Sequence, residues 1–478
     1  MNTLWRIVKH DWRILRAERI LPLFFALCAL LIGCGVFNGV AQARKHQQIA
    51  ARLLPSQANQ INTWQTQLHE GVKASPDPAN PYWISAQQLE LVLPPDPLAL
   101  LAVGQSDLHA VNVKAHLWSS QGVMWAKSEL QNPVNLQAGR FDLAFVVVWL
   151  FPLLTLMLSY NLLAAEREEG TLALLLSQPV SLWQIILGKA LARAVIAIGG
   201  FGALALIGIL IGLLTTGIQP FCPTIILGLC SWFLLVAGYG LFWLGLAAFV
   251  NLQRHSAARN IVTLAGAWLL LALVIPSLLS NAAALIYPMP PRAELIIAER
   301  DAEPDLARDG ARALAAFRQA HPDLQPAAPT IELSDSRRQI LATFLENNRA
   351  FETVARRYDD QLTKQQRLLD RLGLLSPAVV MNESLSHLAG TGSGRFRQFR
   401  AQVWQWALAQ RAFFVPKIMR GEKLTTEDYD TLPHFSFQDE SGVVVARRAL
   451  IRLIGLLAPT VLTGVITLRA LRRYTVAG

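Results

Sequence analysis

Six apolar runs constrain this chain more than any other feature. They occupy residues 21–40, 143–163, 194–214, 225–250, 261–279 and 450–468. Runs of about 20 apolar residues are long enough to cross the hydrocarbon layer of a bilayer as helices. No water is present there to satisfy backbone N–H and C=O groups, so the bonds must close within each segment. The expected fold class is an all-α polytopic membrane protein with six transmembrane helices. Composition agrees: 53% of the 478 residues are hydrophobic and 16% charged, against roughly 45–50% and ~25% in soluble domains. The fourth run is long enough to tilt, or to break near Gly238 and Gly240. Arg452 lies just inside the sixth and must snorkel or find a partner.

The net charge of +10 is informative by location. Arg6, Lys9, Arg13, Arg16 and Arg19 precede the first run, Arg254 and Arg259 join the fourth to the fifth, and Arg469, Arg472 and Arg473 come after the sixth. An even number of crossings puts all of them on one side, which the positive-inside rule makes the cytoplasm. Both termini are then cytoplasmic, and the two long connections, 41–142 and 280–448, are periplasmic. No compact basic patch interleaved with aromatics appears, so nucleic acid is not an expected partner. Cys28, Cys34, Cys222 and Cys230 all lie outside the two long connections, which disulfides therefore do not hold. Ala41-Gln42-Ala43 resembles a signal-peptidase site, but the basic stretch before the first run is long and the run exceeds a cleaved signal, so it is expected to be retained. Residues 1–20 form an amphipathic pattern, with Trp5, Val8, Trp12 and Leu15 on one face and Lys9, Arg13 and Arg16 elsewhere. Such a segment lies in the headgroup region as an elbow, or serves only as a basic topogenic flank.

The first connection opens with a Gln-rich helical stretch, 41–70, then meets the breakers Ser75-Pro76-Asp77-Pro78, Asn80-Pro81 and Pro94-Pro95-Asp96-Pro97. It re-enters through Asn132-Pro133, Gly139 and Phe141-Asp142. The second holds a polar helical region near 292–319 and an interruption at 322–329. Next comes a long helix, striped by Leu341, Phe344, Asn348, Phe351, Ala355, Tyr358, Leu362, Gln365 and Leu369. That helix reaches about 55 Å, and its stripe must be buried, in the same domain rather than a second subunit given the flanking helices. The helix at 398–419 is a partner for the stripe or the membrane surface. Gly208-x-x-x-Gly212 permits close helix approach and gives a weak sign of subunit contact. No Asp, Glu, Lys or His stands at the centre of a run, which disfavours an ion-coupled carrier.

Between the second and third runs, in 164–193, lies Glu166-Arg167-Glu168-Glu169-Gly170-Thr171-Leu172, then Leu175-Leu176, Pro179-Val180-Ser181 and Gly188-Lys189. The carboxylates are expected near the start of a short helix whose dipole they complement. Gly170 allows a sharp turn, Thr171 can cap the helical turn after it, and Leu172, Leu175 and Leu176 offer an apolar face to a partner groove. The same pattern fits an interfacial elbow lying on lipid.

Catalytic signatures are missing. There is no Gly-x4-Gly-Lys-Ser/Thr phosphate loop, and Gly390-Thr391-Gly392-Ser393-Gly394-Arg395 lacks the Lys-Ser/Thr, so it reads as a flexible outer loop. Ser384 and His387 near Glu383 have no nucleophile elbow around them. His109 and His116 lack the close partners that zinc requires. No enzymatic activity, bound cofactor or metal is expected of this chain.

Residues 165–189 resemble the cytoplasmic loop of type-2 ABC transporter permeases, in which a coupling helix docks in a groove of the ATPase. Carried over, the resemblance assigns ATPase coupling to Glu166, Arg167, Glu168, Glu169, Gly170, Thr171, Leu172, Leu175, Leu176, Pro179, Gly188 and Lys189. Leu93-Pro94-Pro95-x-Pro97-Leu98 with Gly104-Gln105-Ser106-Asp107, Asn132-Pro133 with Phe141-Asp142, and Ser376-Pro377 with Leu388-Ala389-Gly390-Thr391-Gly392 look like a branch of that family with two large periplasmic segments. Permeases of nitrous-oxide-reductase maturation are similar in topology. The resemblance implies a permease subunit exporting a substrate across the bacterial inner membrane. Its partners would be an ATP-hydrolysing subunit, a second permease subunit, membrane lipid and a periplasmic protein. The alternative is a membrane scaffold whose periplasmic domains hold an assembly factor.

Overall fold

The computed structural model describes residues 2–17, 19–72, 74–104, 106, 110–119, 140–301, 306–325, 331 and 333–472. Gln105, Asp107, His109, Asn132, Pro133, Gly139 and Arg473 lie outside that set. Six helices are long and apolar enough to cross a membrane: Leu21–His69, Leu143–Glu168, Leu182–Thr215, Pro223–Asn251, Ala257–Ile286 and Gly442–Arg472, here spans 1 to 6. Six crossings leave both termini at one end of the bundle (the termini end); the two long connections occupy the other (the far end).

Helix α1, Asn2–Ala17, precedes span 1, and Arg19 between them takes a left-handed φ of 58°. Span 1 continues without interruption through the Gln-rich stretch, giving a single helix Ile20–His69 of about 75 Å. Hydropathy divides this stretch near residue 40, but the backbone continues because its one internal breaker is Pro55. Asp142 starts span 2 by accepting the Phe145 N–H at 2.7 Å, and its other oxygen accepts the Val103 N–H at 2.6 Å. Span 2 closes with the short helix α2, Ala164–Glu168, and α3, Thr171–Leu176, comes next. Span 3 starts well before residue 194, so that Gly188 and Lys189 belong to its first turns.

Span 4 does not break at Gly238 and Gly240. A Cβ there would meet Leu453 at 2.8 Å and Ile198 at 2.8 Å, so these glycines admit spans 6 and 3 instead. Gly208 and Gly212 likewise face Ile32, Val36 and Val40 of span 1. Their small size serves packing inside the chain, which answers the subunit-contact reading.

The far end has a core of its own. Ile61 and Trp64 from the extension of span 1 meet the antiparallel strands β1, Leu89–Val92, and β2, Asn112–Ala115, which pair Leu89 with Ala115. The second connection supplies further helices, among them α4, Arg292–Asp301; α5, Leu306–Ala320; α6, Asp335–Leu372; and α7, Pro377–Leu388. The last of the insertion's long helices, α8, Ser393–Arg420, brings Phe396, Phe399, Val403 and Trp406 to the same core. The stripe of α6 is buried within this chain: Leu341, Phe351 and Ala355 are fully enclosed, and Asn348 donates to Glu352. Further along, Leu362, Gln365 and Leu369 are half-buried.

Helix α7 departs from the expected separate outer domain. Val380, Met381, Leu385 and Leu388 lie in the core shared with the spans. Ser376 donates to the Leu271 carbonyl at 2.7 Å, beside the wide turn Leu270–Val274 in span 5. Leu374 and Val380 pack against Gly455 of span 6, and Glu383 pairs with Arg452 at 3.3 Å, the partner that arginine required. Ser384 hides its hydroxyl by donating to the Val380 carbonyl of its own helix, 2.6 Å away. The Gly390 loop after α7 starts as a hydrogen-bonded turn. Gly390 has φ +64°, its N–H donates to the His387 carbonyl, and the Thr391 N–H reaches Ser386; together these close the helix in a Schellman turn.

Candidate functional site

At the termini end, span 2 stops being regular at Tyr160–Leu163. The backbone groups freed there need partners, because a buried unpaired group costs about 1–3 kcal/mol. Two asparagines supply them. Asn251, at the end of span 4, accepts the Leu163 N–H at 3.2 Å and donates to the Ser159 carbonyl at 3.1 Å. Asn260, in the first turn of span 5, donates to the Tyr160 carbonyl at 3.0 Å and to Asn251 at 3.2 Å. This turn redirects the chain into α2 and α3.

The acidic motif ties that elbow to its neighbours. Lys189 of span 3 donates to Glu166, and both side chains are largely enclosed. Arg167 donates to the His255 carbonyl in the turn between spans 4 and 5. Glu168 accepts the Ala257 N–H at 2.8 Å, placing a carboxylate at the positive end of span 5. The sequence pattern predicts these carboxylates near the start of a short helix. Glu166 stands in the first turn of α2, whereas Glu168 closes that helix, and the dipole that Glu168 complements belongs to span 5. Gly170 turns the chain with φ +73°, and Thr171 donates to the Glu166 carbonyl rather than capping α3.

The leucines also face differently from the expected pattern. Leu172 is buried, and Leu175 and Leu176 pack half-buried against the bundle core. That face is used inside the chain. The open surface includes Glu169, Ala173, Leu174, Gln178 and Pro179, with Leu174 69% exposed. Ser181 then starts span 3 with a capping box, its side chain accepting the Gln184 N–H.

A second tie escapes the sequence pattern. Helix α1 lies along the first turns of span 3, with Ile7 over Gly188, whose absent Cβ leaves room for it. Asp11 faces Arg193 at 3.4 Å, both side chains 4% exposed, and Arg193 also donates to Asn161 at 2.9 Å and to the Leu158 carbonyl. The buried side of α1 is therefore Asp11 and Leu15, with Ile7 and Ile14 partly covered, while Trp5 and Trp12 remain exposed. The available signal was an acid, Asp11, in an otherwise basic stretch. Asn251 and Asn260, polar residues ending long apolar runs, were a second.

None of this geometry resembles a catalytic centre. His116 accepts the Trp118 N–H at 3.0 Å in a local turn, and no group of three or more His, Cys, Asp or Glu side chains gathers as a metal site among the described residues. All four cysteines are free.

Residues 115–269, which include the elbow and spans 2 to 4, match the model of the ABC-2 family transporter protein family. Residues 292–438, the far-end insertion, match a domain of unknown function, DUF3526. The chain is 32% identical over 167 residues to the probable ABC transporter permease protein NosY of Stutzerimonas stutzeri, covering 32% of this chain and 56% of the relative. It is 34% identical over 94 residues to the protein of the same name from Pseudomonas aeruginosa, covering 18% and 34%. It thus spans about half the length of the first relative and about a third of the second. The chain is a multi-pass membrane protein in which residues 115–269 match the ABC-2 transporter family and residues 292–438 match DUF3526.

Proposed function

We propose that this chain is the membrane-spanning permease subunit of an ABC transporter, driven by a separate ATPase that docks on the α2–α3 elbow. One observation carries the reading: the elbow is anchored on one side to spans 2, 3 and 5 and leaves Glu169, Ala173, Leu174 and Gln178 free on the other. A push on that free face is transmitted, because charge-assisted hydrogen bonds are short and directional. The basic flanks of the spans make the termini end cytoplasmic by the positive-inside rule, which places the elbow where ATP is available. The similarity to probable ABC transporter permeases supports the same reading.

In this scheme Glu166, Arg167, Glu168, Gly170, Thr171, Leu172, Leu175, Leu176, Gly188 and Lys189 hold and shape the lever. Glu169, Leu174 and Pro179 meet the ATPase. Spans 5 and 6, the least covered of the six, meet lipid or a second permease subunit. The substrate leaves the cytoplasm across the bacterial inner membrane. A scaffold that organises a periplasmic partner without transport is the second reading, favoured by the separate core of the far-end insertion.

Tagged full-length protein, purified from its native membranes, tests the proposal. Leu174→Asp is the informative variant, since Glu168→Lys would also disturb the start of span 5. An ATPase recovered stoichiometrically with the wild type and lost at least tenfold with Leu174→Asp, at equal yield of the membrane protein, is the expected result. Recovery of the membrane protein with no ATPase in either preparation supports the scaffold instead.

A further inference from the structure

Spans 2 and 5 each contain a wide turn, closed by an N–H five residues on, with a proline directly after the residue that closes it. In span 2 the turn is Val146–Leu150, closed by Phe151 and followed by Pro152. In span 5 it is Leu270–Val274, closed by Ile275 and followed by Pro276. Such a turn holds one residue more than a regular one and recurs at the working parts of proteins. Proline has no N–H to donate, so each turn leaves a carbonyl short of its backbone partner. Within hydrocarbon no water replaces that partner.

Side-chain hydroxyls replace it here. The carbonyl of Val148, four residues before Pro152, accepts the Tyr239 hydroxyl at 2.9 Å. In span 5 the Ile275 N–H goes to Leu270, and the next residue is Pro276, so neither donor reaches Leu271. The fully buried Ser376 hydroxyl donates to that carbonyl at 2.7 Å. The same oxygen accepts the Val379 N–H at 3.3 Å and so caps α7. Leu271 lies midway along span 5, and the exposed residues of its turn, Leu270, Leu273 and Val274, are apolar and offer no other donor. The two spans differ in where the hydroxyl comes from. Tyr239 belongs to span 4, whereas Ser376 belongs to the far-end insertion.

We propose that Ser376 is a lock between the insertion and span 5, through which the seating of α7 and the shape of span 5 change together. One hydroxyl serves both helices because it donates and accepts at once. A regular turn would return the Ile275 N–H to Leu271 and leave the Ala272 carbonyl opposite Pro276 instead. That exchange moves the helix by one residue and turns its two halves by about 100° relative to each other. The bond from Ser376 selects the wide form, and by reciprocity the wide form holds α7 in place. Span 5 starts where the Ala257 N–H donates to Glu168 of the elbow, so the lock and the elbow act on one helix. The lock stands whether or not an ATPase docks on that elbow.

Amide hydrogen exchange across residues 380–388 of the full-length protein in maltoside detergent provides the test. Met381 and Leu385 are fully enclosed by the bundle, so exchange there reports departures of α7. Ser376→Ala is expected to speed it roughly threefold or more, and Ser376→Thr, which keeps the hydroxyl, to match wild type. Pro276→Ala provides the background that separates a lock from a simple helix cap. Its restored N–H gives the Leu271 carbonyl a backbone donor in the wide turn, and a regular turn then satisfies Leu271 and Ala272 alike. In that background Ser376→Ala should change exchange by less than about 1.5-fold. An equal increase in both backgrounds would show that Ser376 only caps α7, and no increase with Pro276 in place would show that its hydroxyl holds nothing; either result overturns the proposal. If Ser376→Ala is not recovered as a monodisperse species, Ser376→Cys replaces it, because a thiol is the weaker donor. No ATPase enters the measurement, so its outcome is independent of the coupling reading.

Discussion

The two ends of the bundle are held together by different physics. At the termini end, α1, the elbow and spans 2 to 5 are joined by polar contacts to specific atoms: Asp11 to Arg193, Asn251 and Asn260 to the broken backbone of span 2, and Glu168 to an N–H of span 5. At the far end, α7 sits among spans 4, 5 and 6 mainly by apolar packing of Val380, Met381 and Leu385. Hydrogen bonds fix direction, whereas packing fixes volume and tolerates sliding. A lever needs the first kind of joint. An insertion that must follow a moving bundle can use the second.

The sharpest way to break this contrast is to remove Arg193. Its partners Asp11, Asn161 and the Leu158 carbonyl would be left together in a buried place. Losing one member of a buried ion pair costs about 3–5 kcal/mol. Arg193→Ala is expected to reduce the yield of monodisperse protein severely, read by size-exclusion chromatography. Asp11→Leu/Arg193→Leu should recover much of that loss, since the replaced pair leaves no buried charge. Equal yields for wild type and Arg193→Ala would show that α1 is only a flank.

These joints are legible in the sequence only in part. The spans are visible because hydrocarbon demands length and apolarity from any helix that crosses it. The acidic motif is visible too, yet its orientation is not. Leu172, Leu174, Leu175 and Leu176 surround α3 on all sides, and with no period to read, the pattern cannot say that Leu174 faces out. Asp11 and Arg193 are 182 residues apart, and only the fold of α1 onto span 3 brings them together. Helix α7 reads as an outer helix because it carries Glu383, Ser384 and His387. It can enter the bundle because Ser384 bonds to its own backbone and Glu383 finds Arg452.

A smaller effect separates the two ends by pH. Burial pushes Glu383 up to about 7, with Arg452 opposing and Asp370 reinforcing the rise, and His387 lies one turn along α7. A carboxyl whose folded value exceeds its unfolded value of about 4.3 binds its proton more tightly in the folded state. The stability this gives is full below about pH 4.3 and is lost as pH rises through about 7. Thermal unfolding in detergent should therefore move down by several degrees between pH 5.5 and 8, and Glu383→Gln should flatten that slope. A slope unchanged in Glu383→Gln would mean that another group sets it.

Gly170 offers the smallest and most local change. Its φ of +73° is a left-handed turn that joins α2 to α3, and a Cβ there would meet no atom within 4 Å. Gly170→Ala therefore meets no clash and carries only the backbone cost, about 1–2 kcal/mol. Because α3 is anchored by Leu172 on one side, that strain acts on the angle between the two short helices rather than on the fold as a whole. Yield and unfolding temperature should stay close to wild type, while ATPase stimulation by the reconstituted permease should fall a few-fold. Gly170→Asn, which tolerates the left-handed region better, should lie between the two. Identical stimulation in all three proteins would show that the elbow angle does not matter to coupling, and the far end would then be the place to look for the moving joint.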